Sequence, residues 1–142
     1  MWEMELIDHT ADLGLKITAD SLPDLFKGFG EGLLTLLFGV QKWGRSQKIE
    51  SFTCESPMVE DLLVDFLNEI LFYVFNKKKL PVEWKTLKIS HRHHYLLEGE
   101  FFYQEWDASK MPPYWDIKAA TYHNLRIQKK DNRWTATVVF DI

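Results

Sequence analysis

Hydrophobic positions along this chain switch between a period of two and a period of three to four. Trp2, Met4 and Leu6 alternate with Glu3 and Glu5, and Leu13, Leu15 and Ile17 alternate with Gly14, Lys16 and Thr18. Such alternation marks half-buried strands. It predicts strands over 2–7 and 13–19, joined by five residues of hairpin-loop length. Leu22, Leu25, Phe26, Phe29, Leu33, Leu36 and Leu37 then recur at helical spacing, with Ser21 placed to cap the start and Gly39 to end it. Gly28, Gly30 and Gly32 inside this stripe lack the order of a nucleotide-binding glycine loop. They read as points of close packing, although each costs roughly 1 kcal/mol against Ala in a helix.

A third strand is expected over 48–55. Ser56-Pro57 opens a second helix in this reading, with Pro at its first position and Glu60 and Asp61 near the positive end of the dipole. Leu62, Phe66, Ile70 and Val74 form one apolar column and Leu63, Leu67 and Leu71 the next. Lys77-Lys78-Lys79 closes the helix and complements its negative end. Strands over 82–90 and 95–103 flank His91-Arg92-His93-His94. Neighbouring histidines on a tight turn diverge, whereas zinc sites draw on separated positions, so this turn reads as solvated.

From 104 to 116 the pattern dissolves into a long loop containing Pro112-Pro113 and three aromatics, Trp106, Tyr114 and Trp115, that read as exposed. Loops of this length are often functional; this one serves as a partner surface or as a packed lid. A hairpin finishes the chain: 117–128 runs up, 129–132 turns and 133–142 returns. His123 has the parity of Leu125 and Ile127 and reads as a buried, hydrogen-bonded histidine. Asp141 shares a face with Thr135 and Thr137, opposite Trp134, Ala136, Val138 and Phe140.

These elements predict an α+β fold, a mixed, largely antiparallel β-sheet packed with two main α-helices, in a single domain over 1–142. A chain of this length can bury about 68–70% of its unfolded surface. The net charge of −4 argues against a broad phosphate-binding face, so RNA would be met only indirectly. No run approaches the roughly 20 apolar residues of a membrane span, and the start lacks the character of a signal peptide. The one cysteine, Cys54, fits a reducing cytoplasm and a quiet structural thiol.

Candidate chemistry concentrates at two places. Asp8-His9-Thr10-Ala11-Asp12 packs two carboxylates, an imidazole and a hydroxyl between the first two strands, and the last strand stops at Phe140-Asp141-Ile142. Should the tips meet, Asp12, Asp141 and the main-chain carboxylate of Ile142 would form a site of hard oxygen ligands suited to Ca²⁺, Mg²⁺ or Mn²⁺. Three like charges repel unless a cation or Lys118 offsets them. Asp8, His9 and His123 are expected to orient the ligands.

With both ends considered, the sequence resembles the archeases. The resemblance rests on Asp8-His9-Thr10-Ala11-Asp12-Leu13-Gly14, on Ser21-Leu22 and Leu25-Phe26, and on Asp61-Leu62-Leu63 with Phe66-Leu67-Asn68-Glu69. Ile117-Lys118-Ala119-Ala120-Thr121-Tyr122-His123 and the closing Phe140-Asp141-Ile142 complete it. It implies a small α+β protein that is no enzyme itself. Its implied role is to assist the RtcB-type RNA-splicing ligase of tRNA splicing by promoting guanylylation and repeated turnover. It also implies metal ligands at Asp12, Asp141 and Ile142. Two departures stand out: Met111 falls where some archeases have a histidine, and the first helix has glycines where alanines are usual. Two other functions stay open, a metal-dependent phosphoester hydrolase with His9 or His123 as base and a chaperone-like scaffold working through the aromatic loop. Self-association is also open.

Overall fold

The computed structural model describes residues 1–8 and 12–142. Residues 9–11 lie outside the described residues, and with them the expectation for His9; the side chain of Asp8 does too. Among the described residues, eight strands and two helices follow in the order β1 (Trp2–Asp8), β2 (Asp12–Ala19), α1 (Leu22–Phe38), β3 (Ile49–Ser56), α2 (Val59–Phe75), β4 (Lys79–His91), β5 (Tyr95–Glu105), β6 (Ala119–Thr121), β7 (Gln128–Lys130) and β8 (Arg133–Asp141). The strands make two sheets rather than one. A five-stranded sheet has the order β1-β2-β8-β6, with β7 also on β8, and a three-stranded sheet has the order β3-β5-β4. Every described pairing is antiparallel, so the fold is α+β without the parallel component that a mixed sheet would carry.

The helices lie between the sheets. This explains why α1 buries nearly its whole circumference, from Leu25, Phe29 and Leu33 to Leu34 and Phe38. The glycines make that position available. A Cβ on Gly28 would stand 2.8 Å from Ile17 Cγ2, and one on Gly32 would stand 2.8 Å from Leu15 Cδ2, both on β2. Gly30 instead faces Trp84 of the other sheet. Close packing is therefore the reason for the glycines. Ser21 accepts a hydrogen bond from the Asp24 amide at 3.2 Å. Gly39 ends the helix at φ +75°, where a side chain would be strained and would also meet Tyr114.

The centre of the core is an aromatic cluster in which Phe66 of α2 touches Phe26, Phe52 and Trp84, with ring centroids 5.3–5.6 Å apart. Cys54 is buried beside it, and burial, reinforced by Asp65 and Glu69, pushes its thiol up to about 12. A thiol so rarely ionised is the quiet one expected.

Several local expectations are corrected. Pro57 does not open α2. The helix starts at Val59 with Met58 as its cap. Ser56 instead ends β3, where its buried hydroxyl donates to Asp65 Oδ2 at 2.7 Å. Lys79 belongs to β4 and not to the helix end, although Lys78 Nζ does donate to the Phe75 carbonyl at 2.9 Å. Trp106 is buried: its indole N–H donates to the Met111 carbonyl at 2.9 Å and its ring packs on Phe38 and Phe75. Met111 is itself packed against the core.

The continuous strand expected over 117–128 is broken. Ala119–Thr121 pairs with β8, after which the chain turns, with the Leu125 amide donating to the Tyr122 carbonyl and Asn124 at φ +52°, and pairing with β8 resumes at Gln128. His123 lies within that turn and is exposed rather than buried, while Leu125 and Ile127 beyond it stay half-buried. The final hairpin turns on two residues, Asp131 and Asn132, both at positive φ, the backbone of a type I′ turn. The His91–His94 turn is exposed, as expected of a solvated hairpin.

Candidate metal centre

The central strand β8 brings the two acidic ends together. It pairs with β2 on one side and β6 on the other, and in this register Asp12 lies opposite Asp141, which lies opposite Ala119. Directly opposite residues of an antiparallel pair project to the same face, with Cβ atoms about 4.5–5.5 Å apart. Burial alternates accordingly. Ala136, Val138 and Phe140 of β8, with Leu13, Leu15 and Ile17 of β2, point into the core. Asp12 and Asp141 therefore share the outer face with Thr18 and Thr135, whose hydroxyls meet at 3.3 Å. Ile142 follows directly, with its side chain half-buried against the core.

Among the described residues no three His, Cys, Asp or Glu side chains gather as a metal-binding group. A third protein ligand beside Asp12 and Asp141 would come from the main chain, from the Ile142 carboxylate, or from residues 8–11, whose side chains lie outside those described. All the donors in hand are hard oxygens, which fits Ca²⁺, Mg²⁺ or Mn²⁺ and disfavours thiolate-seeking metals.

The remaining candidates fall unevenly around this pair. Lys118 is exposed, and its backbone amide donates to the Asp141 carbonyl at 2.8 Å, which ties the segment before β6 to the end of β8. His123 sits in the turn after β6, with Nε2 3.4 Å from Asn124 Nδ2. Asp8 closes β1 opposite Leu13 in the backbone register.

Asn68 was not singled out by its chemistry, yet it positions the site. Its side-chain Oδ1 accepts from the Ala120 amide at 2.8 Å and its Nδ2 donates to the Ala120 carbonyl at 3.4 Å. The amide thus imitates a neighbouring strand and holds β6 against α2. Its sequence signal was the lone carboxamide of a helix whose charged residues are all acidic. Thr121 adds a second tie, donating from Oγ1 to the Val139 carbonyl at 2.9 Å. Glu60 adds a third, accepting from the Ile127 amide at 3.0 Å.

Comparison with known proteins gives the family and the fold. The model of the Archease protein family (MTH1598/TM1083) matches residues 4–142. The chain is 32% identical to the protein archease of Pyrococcus furiosus, covering 100% of both chains. It is 27% identical to that of Methanopyrus kandleri, covering 97% of this chain and 98% of the relative. The solution structure of Methanobacterium thermoautotrophicum protein 1598 superimposes with a TM-score of 0.79 at 21% identity, covering 98% of each chain. A crystal structure of an archease from Thermotoga maritima, described as a possible chaperone, superimposes with a TM-score of 0.57 at 21% identity, covering 97% of this chain and 96% of the other. With its sequence matched from residue 4 to residue 142 and its fold shared with these structures, this chain belongs to the archease family.

Proposed function

We propose that this protein activates an RtcB-type RNA-splicing ligase by promoting its guanylylation and repeated turnover. In this reading it works through a divalent-cation site formed by Asp12, Asp141 and the main-chain carboxylate of Ile142. One observation carries the site: Asp12 and Asp141, 129 positions apart in the chain, are direct cross-strand partners. Bound there, a divalent ion would supply positive charge for the phosphate oxygens of a nucleotide at the ligase.

The protein's own residues have simpler tasks. Asp12 and Asp141 hold the oxygens on one face, and β8 fixes their spacing because both neighbouring strands pair with it. The Lys118 amide and the Asn68 clamp keep β6 seated, so the edge beside Asp141 does not fray. Asp141 is exposed at the end of its strand, where a partner can reach it. A net charge of −4 favours meeting tRNA through the ligase rather than gripping it directly.

The decisive assay measures guanylylation of a cognate ligase with wild-type protein, with Asp12→Ala and with a chain extended beyond Ile142. The proposal expects stimulation by the wild type and its loss in both variants. Full stimulation by both would remove the site from the function, and no stimulation by the wild type would remove the function itself.

A further inference from the structure

A cavity of 420 Å³ lies between the second half of α1, the 39–48 connection and the start of β4. It is remote from the acidic pair. Trp2, on its wall, stands opposite Ala19 in the β1–β2 register, seven residues or about 23 Å along β2 from Asp12. Three aromatic rings, Trp2, Trp43 and Phe102, share this wall with two carboxylates, Glu31 and Glu83.

The walls are built rather than incidental. Gln41 Nε2 donates to the Phe38 carbonyl at 2.8 Å, Gln104 Nε2 to the Gly44 carbonyl at 2.7 Å, and Ser46 Oγ to the Tyr103 carbonyl at 2.5 Å. These bonds pin a connection that has no regular structure of its own. On the sheet side β4 carries an irregularity: Pro81 pairs with Tyr103 and Glu83 with Phe102, leaving Val82 as the extra residue. Such bulges re-aim side chains and recur beside binding sites. This one sets Glu83 next to Phe102. Burial, followed by the charge of Glu83, holds the Glu31 carboxyl above its ordinary range, while Lys27 and the Trp2 indole act in the opposite sense. Arg45 also lines the wall, so among the lining residues two carboxylates face one guanidinium, with Lys27 acting on Glu31 from outside the lining.

We propose that this cavity binds an organic cation, a guanidinium or primary ammonium group, seated between Glu31 and Glu83 against the faces of Trp2, Trp43 and Phe102. The carboxylates attract the charge, and the aromatic faces attract it again through their quadrupoles. A guanidinium suits the site better than an ammonium, because its plane stacks on a ring while its edge donates to a carboxylate. The volume is that of a small-ligand site. The cation is either a free amine or a basic side chain of a partner, and the two present the same group.

Agmatine titrated into the full chain, followed by the indole N–H resonances of Trp2 and Trp43, tests this. Saturable shifts at both indoles are expected, weakened at least about tenfold in Glu31→Gln and in Glu83→Gln, with no shifts from the uncharged N-butylacetamide. Both substitutions keep side-chain shape, and unchanged thermal unfolding of Glu83→Gln separates lost binding from lost folding. Binding unaffected by both substitutions, equal binding of the amide, or no saturation by about 10 mM would overturn the proposal. An acetylated Gly-Arg-Gly amide that binds more tightly than agmatine assigns the cation to a partner's side chain. The reverse order assigns it to a free amine.

Discussion

Asp12 and Asp141 face each other across β2 and β8, two carboxylates opposed on the outer face of one sheet. Like charges directly opposite each other destabilise a strand pair by roughly 0.2–1 kcal/mol. Without divalent ions, Asp141→Asn should therefore unfold slightly later than wild type. With millimolar Ca²⁺ or Mg²⁺ the order should reverse, because an ion bound only by the folded wild type adds to its stability. Melting curves of both proteins with and without the ions check this. An identical response to the ions in wild type and variant would count against a cation between these residues.

Asn68 offers a test of positioning. Removing its side chain leaves the amide and carbonyl of Ala120 without their partners. An unsatisfied buried polar group costs about 1–3 kcal/mol, so Asn68→Ala should destabilise by about that amount. Because β6 borders Asp141, faster amide hydrogen exchange is expected in β6 and at the end of β8, while α1 keeps its protection. Uniform loss of protection would instead point to general destabilisation.

Two glycines of α1 should respond differently to alanine. Alanine gains about 1 kcal/mol of helix propensity at either position. At Gly28 the new Cβ would sit 2.8 Å from Ile17 and 2.9 Å from the Trp2 ring. Overpacking of that kind costs roughly 1–3 kcal/mol, so Gly28→Ala should be destabilised on balance. At Gly30 the nearest atom, Trp84 Nε1, is 3.3 Å away, and Gly30→Ala should be near neutral. Urea midpoints at unchanged slope give the comparison directly.

Glu31 predicts a dependence on pH. Its carboxyl is held above the ordinary value of 4.5, first by burial and then by Glu83. Folded protein therefore keeps this proton to a higher pH than unfolded protein does. When both states are protonated the residue is indifferent to folding. As pH rises past 4.5 the unfolded state ionises first, and stability falls until the folded state has ionised too. Glu31→Gln removes that penalty. The variant should melt above wild type at neutral pH, and the gap should close below about pH 4.

Periodicity along the chain was enough to locate the helices and most strands, because side-chain direction repeats every two residues in a strand and about every 3.6 in a helix. It also placed Asp141 on the polar face of its strand and read the α1 glycines as packing points, and several motifs in order were enough for the family. It failed where a strand gives way to a turn, as at residues 122–125, which leaves His123 exposed. It failed again where a distant surface covers a loop, as Phe38 and Phe75 cover Trp106. The pairing of Asp12 with Asp141 belongs to tertiary structure alone. Register between strands more than a hundred residues apart depends on which residues the helices bury beneath them. Leu13, Leu15 and Ile17 must meet the same core as Ala136, Val138 and Phe140, and that shared burial is what aligns the two carboxylates.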